Sequence, residues 1–252
     1  MKACVLASGS KGNCTYIETA KLKFLIDAGP SCAYIERSLR SIGVDPDDIN
    51  FIFLTHTHVD HVAGLRVFLK KHHTKVYLTE KMHYELDMDL FDYFYINREI
   101  VIEDLDVLPI KTSHDVLESH GYVFTSDGSS IVHITDTGYI NRKNFDKLKN
   151  KNLYIFESNH DVRMLREGKY PYHLQQRILS DKGHLSNKDS SYYLSKFITN
   201  NTKKIILIHL SEENNSPDIA LNTLLDTLKN NNCKIPDIEI AKQKERTDLI
   251  EV

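Results

Sequence analysis

Short apolar runs separated by turn residues shape the first part of the chain. "KACVLASGS", "CTYIETA" and "LKFLIDAG" read as strands, joined by an "SKGN" turn and a Thr-Ala-Lys turn. In "SCAYIERSLRSIG" the spacing becomes helical, with Ser31 as N-cap and Gly43 as stop. "NFIFLTH" predicts a short buried strand. Val62, Leu65, Val67 and Leu69 in "HVAGLRVFLKKH" have helical spacing, and "TKVYLT" returns to a strand. Farther on, "DVLPIKTSH", "GYVFTS" and "SSIVHITDTG" are strand candidates, the last two meeting in a hairpin at Ser126-Asp127-Gly128. "NLYIFESNH" is followed by helical segments, including "SNKDSSYYLSKFI". Strand "KKIILIHLS", helix "DIALNTLLDTLKNN" and strand "DIEIAKQ" come last. Strands thus fall into two batches, each followed by helices, with no fixed-period repeat. That order predicts an α/β sandwich of two sheets with helices on their outer faces, rather than a regular βαβ succession.

A length of 252 residues with 41% hydrophobic content allows a substantial core, and no linker-like or low-complexity stretch interrupts it. One continuous domain over residues 1–252 is expected. The net charge of −3 indicates no particular partner, but charge is unevenly placed. Met82 to Tyr139 holds 12 acidic and 2 basic residues, whereas Ile140 to Lys204 holds 14 basic and 6 acidic. The second block is either a set of solvated helix faces or a surface turned to an anionic substrate. Cys4, Cys14, Cys32 and Cys233 have no C-x-x-C spacing and read as small buried residues of a reduced protein. No apolar run approaches the roughly 18 residues of a membrane-spanning helix, so a cytoplasmic protein without a membrane partner is expected.

Candidate chemistry begins where the "FIFL" run ends. His56, His58, Asp60 and His61 follow within a few positions. In extended backbone, side chains at i and i+2 share a side, so His56 and His58 can chelate one ion. Asp60 and His61, on the turn into the next helix, reach a neighbouring position. Imidazole nitrogen with carboxylate oxygen suits zinc, manganese or iron. The lack of cysteine in this cluster argues against a closed structural zinc site. Other strand ends repeat the pattern: His114 ends "IKTSH", Asp136 lies in "VHITDTG", and His209 in "IILIHLS".

"HTHVDH", with Asp27 in "FLIDAG" upstream and His114, Asp136 and His209 downstream, resembles the five-part signature of the metallo-β-lactamase fold. The resemblance implies a four-layer αββα sandwich with two divalent metal ions at one edge of its sheets. Carried over, His56, His58 and His114 would hold the first metal; Asp60, His61 and His209 the second; and Asp136 would bridge them. Asp27 would orient a ligand histidine, or else cap the turn before Gly29. An aspartate at 136, and Asp60 between the histidines, disfavour a zinc β-lactamase. "ASGSKGNCTYIE", "FESNHD", "LSDKGHLSN" and "HLSEENN" together resemble the YycJ (WalJ) group, which is related to RNase Z. That resemblance implies a cytoplasmic DNA exonuclease acting 5′ to 3′.

The implied reaction is phosphodiester hydrolysis by a metal-bridging hydroxide, with Asp60 and His184 as catalytic residues. His184 in "KGHLSN" precedes a helix capped by Ser186 or Asn187. Its setting suits a phosphate, or it simply caps a turn. Substrate contacts are expected from His160, Arg163, Tyr170, Arg177, Lys182, Ser186 and Asn187. Asn159 and Asp161 offer a helix start as the alternative to a cleft role for His160. Two other readings use the same residues: a hydrolase of a small ester, lactone or thioester, and a non-catalytic metal-binding regulatory protein.

Overall fold

The computed structural model describes residues 1–86, 89 and 92–252. Three antiparallel strands open the chain: β1 (Lys2–Ala7), β2 (Cys14–Glu18) and β3 (Lys23–Ile26). Helix α1 (Cys32–Arg40) follows, its N-terminus capped by Ser31 Oγ accepting from Tyr34 N–H. Then come β4 (Phe51–Phe53), α2 (Val59–Val62), α3 (Leu65–His72), β5 (Lys75–Leu78), α4 (Glu80–Leu86) and β6 (Tyr93–Tyr95), with β3 to β6 pairing in parallel. The second batch repeats the plan. Strands β7 (Ile100–Ile102), β8 (Leu105–Lys111), β9 (His120–Ser126) and β10 (Ser129–Ile134) are antiparallel. After them come α5 (Phe145–Leu148), β11 (Leu153–Glu157), α6 (Val162–Glu167), α7 (Tyr172–Leu179), α8 (Asn187–Phe197), β12 (Lys204–Ile208), α9 (Pro217–Asn230) and β13 (Asp237–Ile240). Strands β10 to β13 run parallel, and β14 (Ile250–Glu251) returns to pair with β1.

Among the described residues the two sheets are ordered β14-β1-β2-β3-β4-β5-β6 and β13-β12-β11-β10-β9-β8-β7. Alternation along each strand sorts side chains between layers. Phe24 and Ile26 enter the core between the sheets, where Phe24 lies 5.0 Å ring to ring from Phe124 of the other sheet. Leu25, between them, packs outward with Ile35 and Leu39 of α1 and Phe68 of α3. On the far side, Phe156 and Leu207 pack with Leu194 and Phe197 of α8 and Leu224 of α9. Each such fully buried side chain contributes about 1.5–3 kcal/mol. The result is the four-layer αββα sandwich expected.

Three details depart from the sequence pattern. The stretch read as one helix after His61 is two, α2 and α3, because Gly64 lies against the 28–30 segment: a Cβ there would sit 1.9 Å from the Pro30 carbonyl oxygen. Phe68 is the buried anchor of α3, while Val67 is 56% exposed. Strands β6, β7 and β14 and helix α4 had no clear signal: β6 is exposed throughout, and the other two strands are very short. Cys233 is half-buried, and the other three cysteines are buried and unpaired. No helix among the described residues is long and apolar enough to cross a membrane.

The carboxyl ends of β3, β4, β10, β11 and β12 deliver the site. Asp27 follows β3, Asp136 lies just beyond β10, and His209 follows β12. All three have left-handed backbone, with φ of 61°, 49° and 59°. Non-glycine residues seldom adopt this region, and each costs of the order of 1–3 kcal/mol, so the fold must hold them there. The turn at Asp60 is held as tightly: Asn13 N–H donates to the Asp60 carbonyl (2.8 Å) and Gly29 N–H to the Asn13 carbonyl (3.0 Å). A Cβ on Gly29 would lie 1.7 Å from the Asp60 carbonyl oxygen. Gly29→Ala is therefore expected to cost about 1–3 kcal/mol by overpacking. That would appear as a thermal midpoint lowered by roughly 2–4 °C per kcal/mol. An unchanged midpoint would contradict this close approach.

Candidate metal centre

Three imidazoles converge where β4 ends. His56, His58 and His114 present ring nitrogens within 4.8 Å of one another, and His58 Nδ1 lies 3.1 Å from His114 Nε2. The other nitrogen of His114 is committed, since Nδ1–H donates to the carbonyls of Lys182 (3.1 Å) and Gly183 (3.2 Å). That leaves Nε2 turned to the cluster. Asp60, His61 and His209 form a second group of the same compactness. Asp136 lies between the groups, one oxygen 3.2 Å from His61 Nε2 and the other 3.8 Å from His114 Nε2 and 3.5 Å from His209 Nδ1.

A layer of partners fixes these rings. Asp27 accepts from His61 Nδ1–H at 2.7 Å, and from the backbone N–H (2.8 Å) and hydroxyl (2.7 Å) of Thr55. Asn13, at the end of the "SGSKGN" loop, donates its amide to Asp60 at 3.0 Å. In the same loop, Ser8 Oγ accepts from His209 N–H at 2.7 Å. Glu157 is fully buried at the end of β11, yet all its bonds are made. It accepts from His184 Nδ1–H (2.8 Å), His209 Nδ1–H (3.1 Å) and the backbone N–H groups of Thr137 and Leu185.

The electrostatics follow from sealing so many charges together. Burial alone would raise the Asp136 carboxyl, but His209 and His61 outweigh it and hold it well below the usual carboxylate range. Glu157 is likewise brought down to about 2, against its burial, by His184 and His209. Burial disfavours a charge on His209, yet Asp136, Asp60 and Glu157 lift it to about 10. His61 rises too, with Asp27 and Asp136 overcoming its burial. His56 is pushed down by burial and by its cationic neighbour His61. His56 Nε2 and His209 Nε2 are buried without any hydrogen-bond partner among the described residues. Orphaned imidazole nitrogens beside an anionic carboxylate are the donor set for a divalent cation, so the residues fit a metal.

The rim opens to a cleft of about 340 Å³ lined by His58, Asp60, His114, Asp136, His184 and His209. Of the residues expected to contact substrate, Tyr170, Arg177 and Lys182 also line this cleft. Four others are placed elsewhere. His160, Ser186 and Asn187 are buried, because His160 and Ser186 pair backbone to backbone and seal that strip. Ser186 Oγ caps α8, accepting from Asp189 N–H, and Asn187 bonds Ser158 and Asn215 inside the protein. Arg163 is exposed away from the cleft, paired with Glu167 at 3.0 Å, and Asp161 caps α6. Sequence reasoning missed Asn13, Glu157 and Asp115. The last lines the cleft next to His114 and holds Arg177 at 2.5 Å. Glu157 stood in the quoted "FESNHD" motif, where a charged residue closing an apolar strand was the available signal.

The sequence profile described as "Metallo-beta-lactamase superfamily" matches residues 7–148. The chain belongs to the metallo-beta-lactamase superfamily. It is similar to the exodeoxyribonuclease WalJ of Streptococcus pneumoniae serotype 2, with 38% identity over 236 residues, covering 90% of this chain and 88% of that one. Among solved structures, the metallo-beta-lactamase fold protein YhfI of Bacillus subtilis shares the fold with a TM-score of 0.74 at 14% identity, covering 98% and 99% of the two chains. The short form of human tRNase Z does so with a TM-score of 0.68 at 13% identity, over 98% and 99%. For this superfamily member the buried histidines generate a pH test. The folded-state pKa of His209 is raised from 6.5 to about 10. Its stabilising contribution is therefore complete below pH 6.5 and disappears as pH rises through about 10. Metal-stripped protein is expected to melt at progressively lower temperature across that window, and His209→Gln to melt with a shallower slope. Equal slopes would remove His209 from the account.

Proposed function

We propose that this chain is a cytoplasmic exonuclease that shortens DNA strands from the 5′ end, with a hydroxide between two divalent cations as nucleophile. Superfamily membership and kinship with a curated exodeoxyribonuclease make it a metal-dependent nuclease. One observation carries the finer reading. Two compact ligand groups flank the single carboxylate of Asp136, which faces both. In this reading His56, His58 and His114 would hold one cation and Asp60, His61 and His209 the other, with Asp136 shared between them. Zinc or manganese suits these nitrogen and oxygen donors, and iron is compatible with them. When bound, such a pair supplies Lewis acidity and lowers the pKa of a shared water from 15.7 to about 7.

The chain's own residues do the rest. Asp27 fixes the ring of His61, and Asn13 the carboxylate of Asp60, so Asp60 can orient the attacking water in line with phosphorus. Glu157 holds His184 by Nδ1. That turns its other nitrogen toward the cleft the residue lines, where it can give a proton to the leaving oxygen. General acid help of this kind contributes typically 10²–10⁴-fold. Arg177 and Lys182 face the phosphates, and Tyr170 offers a ring for a base. The direction of digestion rests on resemblance to the YycJ (WalJ) group, and the reduced thiols support a cytoplasmic setting.

Strands labelled at the 5′ or the 3′ end, digested with zinc, manganese or iron, should lose the 5′ label first as mononucleotide. Early loss from the 3′ end would reverse the direction, and no loss with any metal would refute the nuclease. His58→Ala and Asp136→Asn are expected to abolish cleavage in a folded protein, whereas full activity in either would cancel the ligand assignment. His184→Ala should reduce turnover by roughly 10²–10⁴-fold with metal content intact. Loss of metal in that variant would recast His184 as a ligand. Asp27→Asn is expected to weaken metal affinity by about 10–100-fold, measured by competition with a chelating dye.

A further inference from the structure

Beside the metal rim lies a second concave face that the reaction above does not use. Two adjoining hollows, of about 480 and 290 Å³, share Tyr139 and Asn141. Tyr192 and Arg142 line the first, and Lys111 and Lys143 the second. Tyr139 is 39% and Tyr192 48% exposed, so two large rings face solvent around one depression. Lys196 Nζ lies 5.3 Å from the centre of the Tyr192 ring. Lys111 is shared with Glu118 at 3.8 Å, which leaves Arg142 and Lys143, both exposed, as the freer cations of the face.

The face is rigidly tied to the centre. Gly138 N–H donates to the Ser113 carbonyl and Ser113 N–H donates to Thr137 Oγ1, both at 3.0 Å, stitching the His114 and Asp136 loops together. On the other side, a Cβ on Gly138 would lie 2.3–2.4 Å from the Ser180 and Asp181 backbone, in the turn leading to Lys182 and Gly183 of the cleft wall. Tyr139 is three residues on from Asp136, a reach of at most about 11 Å. At about 3.4 Å per nucleotide along a duplex strand, that is a span of a few nucleotides.

Isolated tyrosines and lysines on a surface are ordinary. Here two exposed rings and three cations share two adjoining hollows, Arg142, Lys143 and Tyr192 coming from the basic block, next to a phosphodiester-cleaving edge. Rings that stack on any base, interleaved with charges that follow a backbone, form the recognition surface for a single strand. We propose that this face is a stacking platform for single-stranded DNA, holding the nucleotides next to those in the cleft. The proposal rests on the nuclease reading and adds a substrate site to it. Tyr139 and Tyr192 take bases, and Arg142 and Lys143 take phosphates.

The test uses metal-loaded protein and a cleavage-resistant phosphorothioate oligothymidylate, labelled at its 3′ end and read by fluorescence anisotropy. Tyr139→Ala/Tyr192→Ala is expected to bind at least roughly 5–150-fold more weakly, the loss for one of the two stacked bases. Arg142→Ala/Lys143→Ala should flatten the salt dependence by about two units of log–log slope. Both variants should hydrolyse bis(p-nitrophenyl) phosphate as the wild type does, since that ester reaches only the cleft. Unchanged strand affinity in the tyrosine variant overturns the platform, as does equal loss on the small ester, which would mean a damaged centre. Dependence on the tyrosines for oligouridylate but not for oligothymidylate overturns the choice of DNA. Cleavage of an ordinary strand by the wild type is read separately. Tyrosine-dependent binding without cleavage would keep the platform and sink the nuclease.

Discussion

The Asp136 carboxylate, almost completely buried at the seam of two sheets, imposes the constraint that organises this molecule. An isolated buried anion is prohibitively costly unless cations and hydrogen bonds surround it. The chain meets that demand with histidines drawn from both sheets. Those histidines need orienting partners of their own, and so Asp27 and Glu157 are buried as well. Each added carboxylate calls for donors in turn. Thr55 meets that need for Asp27; the Thr137 and Leu185 backbone amides do so for Glu157. The site is a nested set of compensations, each layer present because the one inside it would otherwise be untenable.

Such a set cannot sit on relaxed backbone. Asp27, Asp136 and His209 all turn sharply as they leave their strands. The aromatic-rich core between the sheets and the outer helices hold those strand ends in place. Packing therefore maintains the strain, and the strain aims the side chains. The Gly29 contact with Asp60 shows how little slack remains: the loop after β3 and the first turn of α2 touch backbone to backbone.

Much of this could be read from residues alone, for a definite reason. Strand-forming runs that end in a histidine or an aspartate carry a contrast between apolar and ionisable positions that survives without coordinates. Hence His56, His58, His114, Asp136 and His209 stood out, as did the two-batch order of strands. Residues without that contrast were harder to read. Asn13 sits in a polar loop where any amide looks alike. Glu157 closes a strand as an ordinary charged residue, and only tertiary structure shows it sealed. His160, Ser186 and Asn187 looked available because their segments are polar, but a strand-like bridge buries them. Edge strand β6 is exposed on both faces, and in β7 the residue facing solvent, Val101, is as apolar as Ile100 and Ile102 on the core side, so neither carries that contrast.

Because each compact group of imidazoles and carboxylates combines residues far apart along the chain, the cluster is assembled only when both halves have docked. His56, His58, Asp60 and His61 arise with the first sheet; His114, Asp136 and His209 arise with the second. A half-made chain emerging from the ribosome would carry the first cluster without Asp136, the carboxylate that faces both groups. The cluster is thereby left incomplete until β12 has joined the second sheet, and maturation of the fold itself serves as the safety catch.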